Sequence, residues 1–312
     1  MKRILCVGNA CVDVTVKPVD RLPETGTLQF VDSITTSVGG CAANAAMVLA
    51  KLGADVRVCT AVGDDGFGDY ILSAFRKFGL ATDDVRRFDG LSTAASIVQV
   101  CSTGERSFLH DPGVTSVYAP GDVSEKTLCE SDIVFLTGAM IMRGFDGGPA
   151  AELLERAKEL GKYTVMDTCW DSDGVWMKKV CSALPHLDMF MPSIEEAEML
   201  AETANPDAIC DAFLSKGVQN IIIKMGSKGA YVCEGNSDKR YISPSFKRER
   251  IIDTNGAGDA FCAGFLCGLS RGMDIQSCAR YANAVGSFCV TGAGSCAGIP
   301  SMSVVDHFLE NN

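Results

Sequence analysis

Short apolar runs and longer amphipathic stretches take turns along almost the whole of this chain, and that alternation limits its fold more than any other feature. The run RILCVGN ends in turn residues and is followed by the Ala-rich CAANAAMVLAKLG, whose closing glycine marks a helix stop. VRVCTAVG then reads as a strand, and FGDYILSAFRKFG, with apolar residues at helical spacing, as a helix. The same change of period recurs through IVFLTG, AAELLERAKELG, YTVMDT, LDMFMPS, IEEAEMLAE and NIIIKMG, and ends in two apolar helices after residue 257. Strands that read as near-continuous apolar runs are strands covered on both faces. The expected fold class is α/β, a mostly parallel central sheet between two layers of helices. With 312 residues, 47% of them hydrophobic, the chain is long enough to bury such a core as one large domain.

Two stretches interrupt the rhythm. Residues 14–36 and 91–112 hold Thr, Val, Phe and Ser in extended patterns with turn residues between them, and neither contains a helical pattern. They are expected to form a small β element beside a core built from residues 1–13, 37–90 and 113–312. No internal repeat, linker or low-complexity segment divides the chain.

Composition argues against several classes of function. Thirty-nine acidic against 28 basic residues give a net charge of −11, and no basic run is present. A nucleic-acid partner, which is held by Lys and Arg on its phosphates, is not expected. The fifteen cysteines lie scattered through apolar segments without a C-x-x-C pair, and His110, His186 and His307 are far apart. Reduced thiols serving as small core residues are expected, in place of a disulfide scaffold or a Cys/His metal site. The opening stretch is broken by Asn9 and Asp13 and makes a poor signal peptide. No window approaches the roughly 20 apolar residues of a spanning helix. A cytoplasmic protein without a membrane partner is the expectation.

The stretch DTNGAGDAFCAGFL, residues 253–266, sets a carboxylate and three small residues before a second carboxylate and a long apolar run. Gly256, Ala257 and Gly258 leave the backbone nearly bare, and free N–H groups at a helix start suit an anion. Asp259 would repel that anion unless it faces a hydroxyl. In that case it takes the hydroxyl proton while the N–H groups hold the charge developing on a phosphoryl group. The other reading of these residues is a capped helix start whose glycines allow close packing, and the motif by itself leaves both open. Two rival nucleotide motifs fail. The Walker pattern G-x-x-x-x-G-K-[ST] is absent, and the one match to G-x-G-x-x-A, at Gly292, Gly294 and Ala297, follows a helical pattern and runs into Pro300.

Taken with SVGGCAANAAMVLAKLG at residues 37–53, the motif resembles the two signature regions of the PfkB-type, or ribokinase-like, carbohydrate kinases. VGNACVD, AVGDDGFGDYI, MPSIEEAEML and IIIKMGSKGAYV follow in the family's order, so the resemblance spans essentially the whole chain. It implies a three-layer α/β/α sandwich whose small β-sheet is a lid over the substrate and, in several relatives, pairs two subunits into a homodimer. It also implies ATP-dependent phosphorylation of a hydroxyl of a small sugar or sugar-like substrate.

On this resemblance Asp259 is the general base, and Gly256, Ala257 and Gly258 are the anion hole. Asp13, at the end of the first strand, grips sugar hydroxyls together with Gly40 and Asn44. Lys224, Gly226, Ser227 and Gly229 line the nucleotide phosphates and ribose, and Asn283 lies near the adenine. The family's N-x-x-E motif reads Ser193-Ile194-Glu195-Glu196, which puts Ser193 beside the nucleotide and Glu196 on Mg²⁺ through water. Asp253 and Asn255, with the loop after Thr291, fall where relatives bind a monovalent cation such as K⁺.

Two departures bear on the substrate. Cys41 stands where ribokinase has a lysine, and Thr137 or Gly138 where it has a sugar-binding glutamate. The expected pocket is less polar than a ribose pocket of that type. Arg143 and the Arg86–Arg87 pair are the candidates for a sugar phosphate, and Trp170 and Trp176 are expected to pack in the core. An unphosphorylated sugar or sugar-like alcohol is the favoured acceptor. A nucleoside kinase of the same fold and a non-catalytic ligand-binding regulator on a kinase scaffold are the alternatives, and Asp259 beside an intact G-A-G speaks against the second.

Overall fold

The computed structural model describes residues 1–312, and in it the apolar runs are strands and the amphipathic stretches are helices. The strands are β1 (Ile4–Gly8), β2 (Cys11–Lys17), β3 (Ser33–Gly39), β4 (Val56–Gly63), β5 (Val85–Phe88), β6 (Ala95–Val100), β7 (Arg106–Asp111), β8 (Ile133–Ala139), β9 (Tyr163–Thr168), β10 (Met189–Phe190), β11 (Asn220–Lys224), β12 (Ala230–Glu234) and β13 (Lys239–Ser243). Nine of them form one sheet in the order β13-β12-β11-β10-β9-β8-β1-β4-β5. All neighbours in it are parallel except β11–β12 and β12–β13.

The helices are α1 (Cys41–Leu52), α2 (Gly66–Lys77), α3 (Glu125–Glu130), α4 (Gly148–Glu159), α5 (Met177–Val180), α6 (Ile194–Ala201), α7 (Pro206–Leu214), α8 (Ala257–Ser270), α9 (Ile275–Cys289) and α10 (Met302–Glu310). One face of the sheet is covered by α1, α2, α8, α9 and α10, the other by α3 to α7. Strand β1 explains why its run carries no polar alternation. Ile4 and Cys6 point into one core and Leu5 and Val7 into the other, so every position is buried. The cysteines behave as small apolar residues: all fifteen are free and ten are buried. No helix is long and apolar enough to cross a membrane.

A second sheet, ordered β3-β2-β6-β7, stands beside the first. Its central pair β2–β6 is parallel and its outer pairs are antiparallel. The register places Asp13, Ser96 and His110 side by side on one face, and Val14, Ile97 and Leu109 on the other.

Two expectations are corrected here. The small sheet begins at Cys11 and extends to Gly39, beyond the 14–36 bounds read from the sequence. Asp13 therefore does not end the first strand, which stops at Gly8, but is the third residue of β2. The apolar run is split because the chain changes sheets at Asn9–Ala10, where the Asn9 side-chain oxygen accepts the N–H of Cys41 at the start of α1 (3.1 Å).

Candidate active site

In a parallel sheet the strands deliver their carboxyl ends to one edge, and ligands bind in the crevice outside it. Here β9 ends in Asp167–Thr168 and β11 in Lys224, and together with the start of α8 they border a cavity of about 750 Å³. That volume lies within the usual range for a small-molecule site.

Cys41, at the start of α1, is on one wall, whereas Asp13, Gly40 and Asn44 do not themselves line the cavity. Each glycine of the preceding Gly39–Gly40 turn has a separate reason. A Cβ at Gly39 would overlap the Asp13 carboxylate. Gly40 has φ +92, and a Cβ there would come within 2.7 Å of the Asn9 carbonyl oxygen and Ala10 Cα. The turn thus admits Asp13 and lets α1 start against the backbone that follows β1. Burial raises the pKa of Asp13, while hydrogen bonds from Cys11, Ser96 and Asn255 and the charge of His110 oppose that rise. Ser96 Oγ and His110 Nδ1 lie 3.0 Å apart beside it.

The facing wall is the start of α8. Gly256, at φ +74, leaves no room for a Cβ because Ser295 packs against it. A Cβ at Gly258 would point toward Lys224 Nζ, 3.6 Å away. Asp259 is half-buried in the first turn, and its Oδ2 accepts a hydrogen bond from Asn44 Nδ2 (2.8 Å). Burial, with a contribution from the Asp167 charge, pushes the Asp259 pKa up to about 6, against the opposing pull of Asn44, Lys224 and Cys41.

Lys224 is nearly enclosed. Its ammonium donates to both oxygens of the buried Asp167 (2.6 and 2.7 Å), and Cys262 Sγ donates to Asp167 Oδ2 (3.3 Å). Burial works against the charge on Lys224, but Asp167, Cys262 and Glu196 overcome it and hold the pKa well above the ordinary value. Glu196 Oε2 accepts from the Ser193 N–H (3.0 Å) and from Thr168 Oγ1 (2.9 Å), and Ser193 Oγ accepts the Glu196 N–H in turn. This is a capping box, so the helix-start reading of Ser193 and Glu196 is realised. Glu196 nevertheless lines the cavity, and those bonds leave Oε1 without a protein partner. A carboxylate oxygen in that position fits Mg²⁺ held through water.

Gly226, Ser227 and Gly229 line the same cavity on the turn after β11, where Gly229, at φ +92, passes too close to the Ser243 carbonyl to carry a side chain. Asn283 also lines it, but its Nδ2 donates to the carbonyl and Oγ of Ser243 (both 3.0 Å), which leaves only its oxygen toward a nucleotide. Asp253 is more committed than the sequence implied. Its oxygens accept the Asn255 N–H (2.8 Å), the Gly294 N–H (2.9 Å) and Arg106 Nη2 (2.5 Å). Burial opposes the charge of Asp253, yet these donors keep its pKa below the ordinary carboxylate value. With Arg106 already neutralising it, this carboxylate does not fit a monovalent cation as a charged ligand.

Cys41 and Cys169 meet at the cavity wall with their sulfurs 3.2 Å apart, and Thr137 is fully buried. Arg86 pairs with Asp122, and Arg87 with Asp64 and Asp69, on the outer strand β5, and neither they nor the exposed Arg143 lines the cavity. Trp176 is buried as expected, whereas Trp170, edge-on to it, is 56% exposed. Sequence reasoning missed Asp167, Arg106 and Ser295. Asp167 carried a usable signal, a carboxylate at the end of the buried strand YTVMDT. The other two carried none.

Residues 1–302 match the description "pfkB family carbohydrate kinase". The chain belongs to that family. An uncharacterized sugar kinase of Archaeoglobus fulgidus is 30% identical over 255 residues, covering 81% of this chain and 98% of its own. An ATP-dependent ribose-1-phosphate kinase of Halopiger xanaduensis is 29% identical, covering 99% of this chain and 98% of its own. The solved structure of Arabidopsis thaliana ribokinase complexed with ribose and ATP superposes with a TM-score of 0.86 at 25% identity, over 99% of both chains. As a pfkB kinase, the protein is a phosphotransferase with an alcohol group as acceptor, a sugar or nucleoside kinase. Its fold is the ribokinase-like sandwich of the family.

The Lys224–Asp167 pair is testable by itself. Asp167→Asn leaves a buried ammonium without its counter-charge and is expected to cost about 3–5 kcal/mol in urea unfolding. Lys224→Met combined with Asp167→Asn is expected to cost less than the sum of the single changes. Additive losses would show that the two do not act as a pair.

Proposed function

We propose that this kinase transfers the γ-phosphoryl group of ATP to a hydroxyl of a small unphosphorylated sugar or sugar-like alcohol, with Asp259 as general base. One observation carries the reading. Asp259 sits on the cavity wall, held by Asn44, in the same helical turn as the bare backbone of Gly256 to Gly258.

Ionised Asp259 takes the proton of the acceptor hydroxyl as its oxygen bonds to the γ-phosphorus, and the bond to the bridging oxygen breaks to release ADP. The N–H groups at the start of α8, with Lys224 beside Gly258, face the charge that develops on the transferred group. Glu196 would hold Mg²⁺ through water, and the ion would neutralise charge on the phosphates. Asp13 accepts from further hydroxyls of the acceptor, and Asn44 retains one N–H for the same purpose. The acceptor side has no free basic cluster, since Arg106 is paired with Asp253, and the Cys41–Cys169 contact makes its wall less polar. Both favour a neutral acceptor over a sugar phosphate.

The small sheet acts as the lid of this site, with Asp13 on its inner face. Ile34, Ile97 and Leu109 are exposed on its outer face, where a second copy of the chain would cover them. A homodimer is therefore expected by light scattering, and Leu109→Lys is expected to shift it toward monomer. A parent protein that is monomeric at micromolar concentration would remove this element.

Asp259→Asn is expected to lower turnover at least about a thousandfold while ATP binding, followed by calorimetry, changes little. In the parent enzyme kcat/KM for the acceptor should fall as pH drops through about 6, because protonation removes the base. Near-parental turnover by Asp259→Asn would refute the assignment.

A further inference from the structure

We infer that Ser295 is a positioning residue for Asp259, acting through Asn44: its hydroxyl fixes which end of the Asn44 amide faces the base. This rests on Asp259 being the base, as proposed above.

Ser295 lies in the segment between α9 and α10 and is buried. Its Oγ donates to Asn44 Oδ1 (2.7 Å), and Asn44 Nδ2 donates to Asp259 Oδ2 (2.8 Å). The chemistry permits one orientation of that amide. An ionised carboxylate only accepts, so the nitrogen end must face Asp259, and the buried oxygen end then needs a donor from elsewhere. Ser295 is that donor. Because its proton is spent on Asn44, the thiol of Cys296, 3.5 Å from Oγ, is the donor in the next contact. Ser295 also fills the space that a side chain at Gly256 would need. One buried residue therefore stands behind both, its hydroxyl behind the base and its Cα and Cβ behind Gly256 at the helix start.

Without that donor the amide is free to turn over and present its oxygen to Asp259, an arrangement tolerable only when the carboxyl is protonated. Other groups set the starting point. Asp167 on β9 raises the Asp259 pKa, Lys224 on β11 and Asn44 and Cys41 on α1 lower it, and the thiols of Cys262, Cys289 and Cys296 lie nearby. Of these, only Asn44 and Cys296 lose a hydrogen-bond partner when Ser295 loses its oxygen.

The test compares Ser295→Ala with the parent, using Mg·ATP and the fastest acceptor among pentoses, hexoses and polyols. The expected result is a kcat about tenfold lower, an unchanged KM for ATP, and an acid limb of kcat/KM displaced to higher pH. Ser295→Cys keeps a weak donor and should recover part of the loss; it carries the same test if Ser295→Ala fails to fold. In an Asn44→Ala background, Ser295→Ala should add little further. An unmoved acid limb with parental kcat overturns the inference, as does a loss that persists undiminished without Asn44, which would mean that the Ser295 hydroxyl does not act through Asn44. Asp259→Asn separates the two levels. If that variant is inactive while Ser295→Ala behaves like the parent, only the role of Ser295 falls, and if it turns over normally, both assignments fall.

Discussion

The hydrogen bond from Asn44 to Asp259 joins residues 215 positions apart, and the functional side of the molecule is organised around it. It ties the first turn of α1 to the first turn of α8 at the same edge of the sheet. Both helices must start within a few ångströms of each other, and each start uses small residues to do so. Gly40 lets α1 begin against Asn9–Ala10, and Gly256 lets α8 begin against Ser295. Larger side chains at these turns would move the carboxylate away from the amide.

Around that bond the electrostatics work as a set. Burial is the main influence that raises the pKa of Asp259, and Asp167 makes ionisation harder. Lys224 offsets this, but only because Asp167 and its neighbours keep the lysine charged in a buried position. Asp167 thus acts in two directions, directly against the ionised base and indirectly in its favour through the lysine. The outcome is a carboxyl that titrates near pH 6, where proton acceptance is compatible with neutral conditions.

Much of the fold was legible because parallel strands buried on both faces leave long apolar runs, and Ala- and Leu-rich helices with glycine stops separate them. The small sheet was legible as a break in that rhythm, but not its limits. Asp13 belongs to a different sheet from Ile4–Gly8, and nothing local marks the crossing at Asn9, whose role is to accept the N–H of Cys41. Within the site, Asp259, Gly256 to Gly258, Asn44 and Lys224 announced themselves through short motifs. Arg106 and Ser295 did not, because each acts across 147 or 251 residues of chain on a partner that only folding supplies. The pairing of Asp253 was hidden for the same reason, since Arg106 reaches it from the small sheet.

The most direct test of the account is ADP release from Mg·ATP by the purified protein across pentoses, hexoses, sugar acids, polyols, sugar phosphates and nucleosides. The account predicts acceptor-dependent turnover that is fastest with an unphosphorylated sugar or polyol. Turnover confined to sugar phosphates or nucleosides would contradict the acceptor assignment. No turnover on any acceptor, with ATP still bound, would contradict catalysis by Asp259.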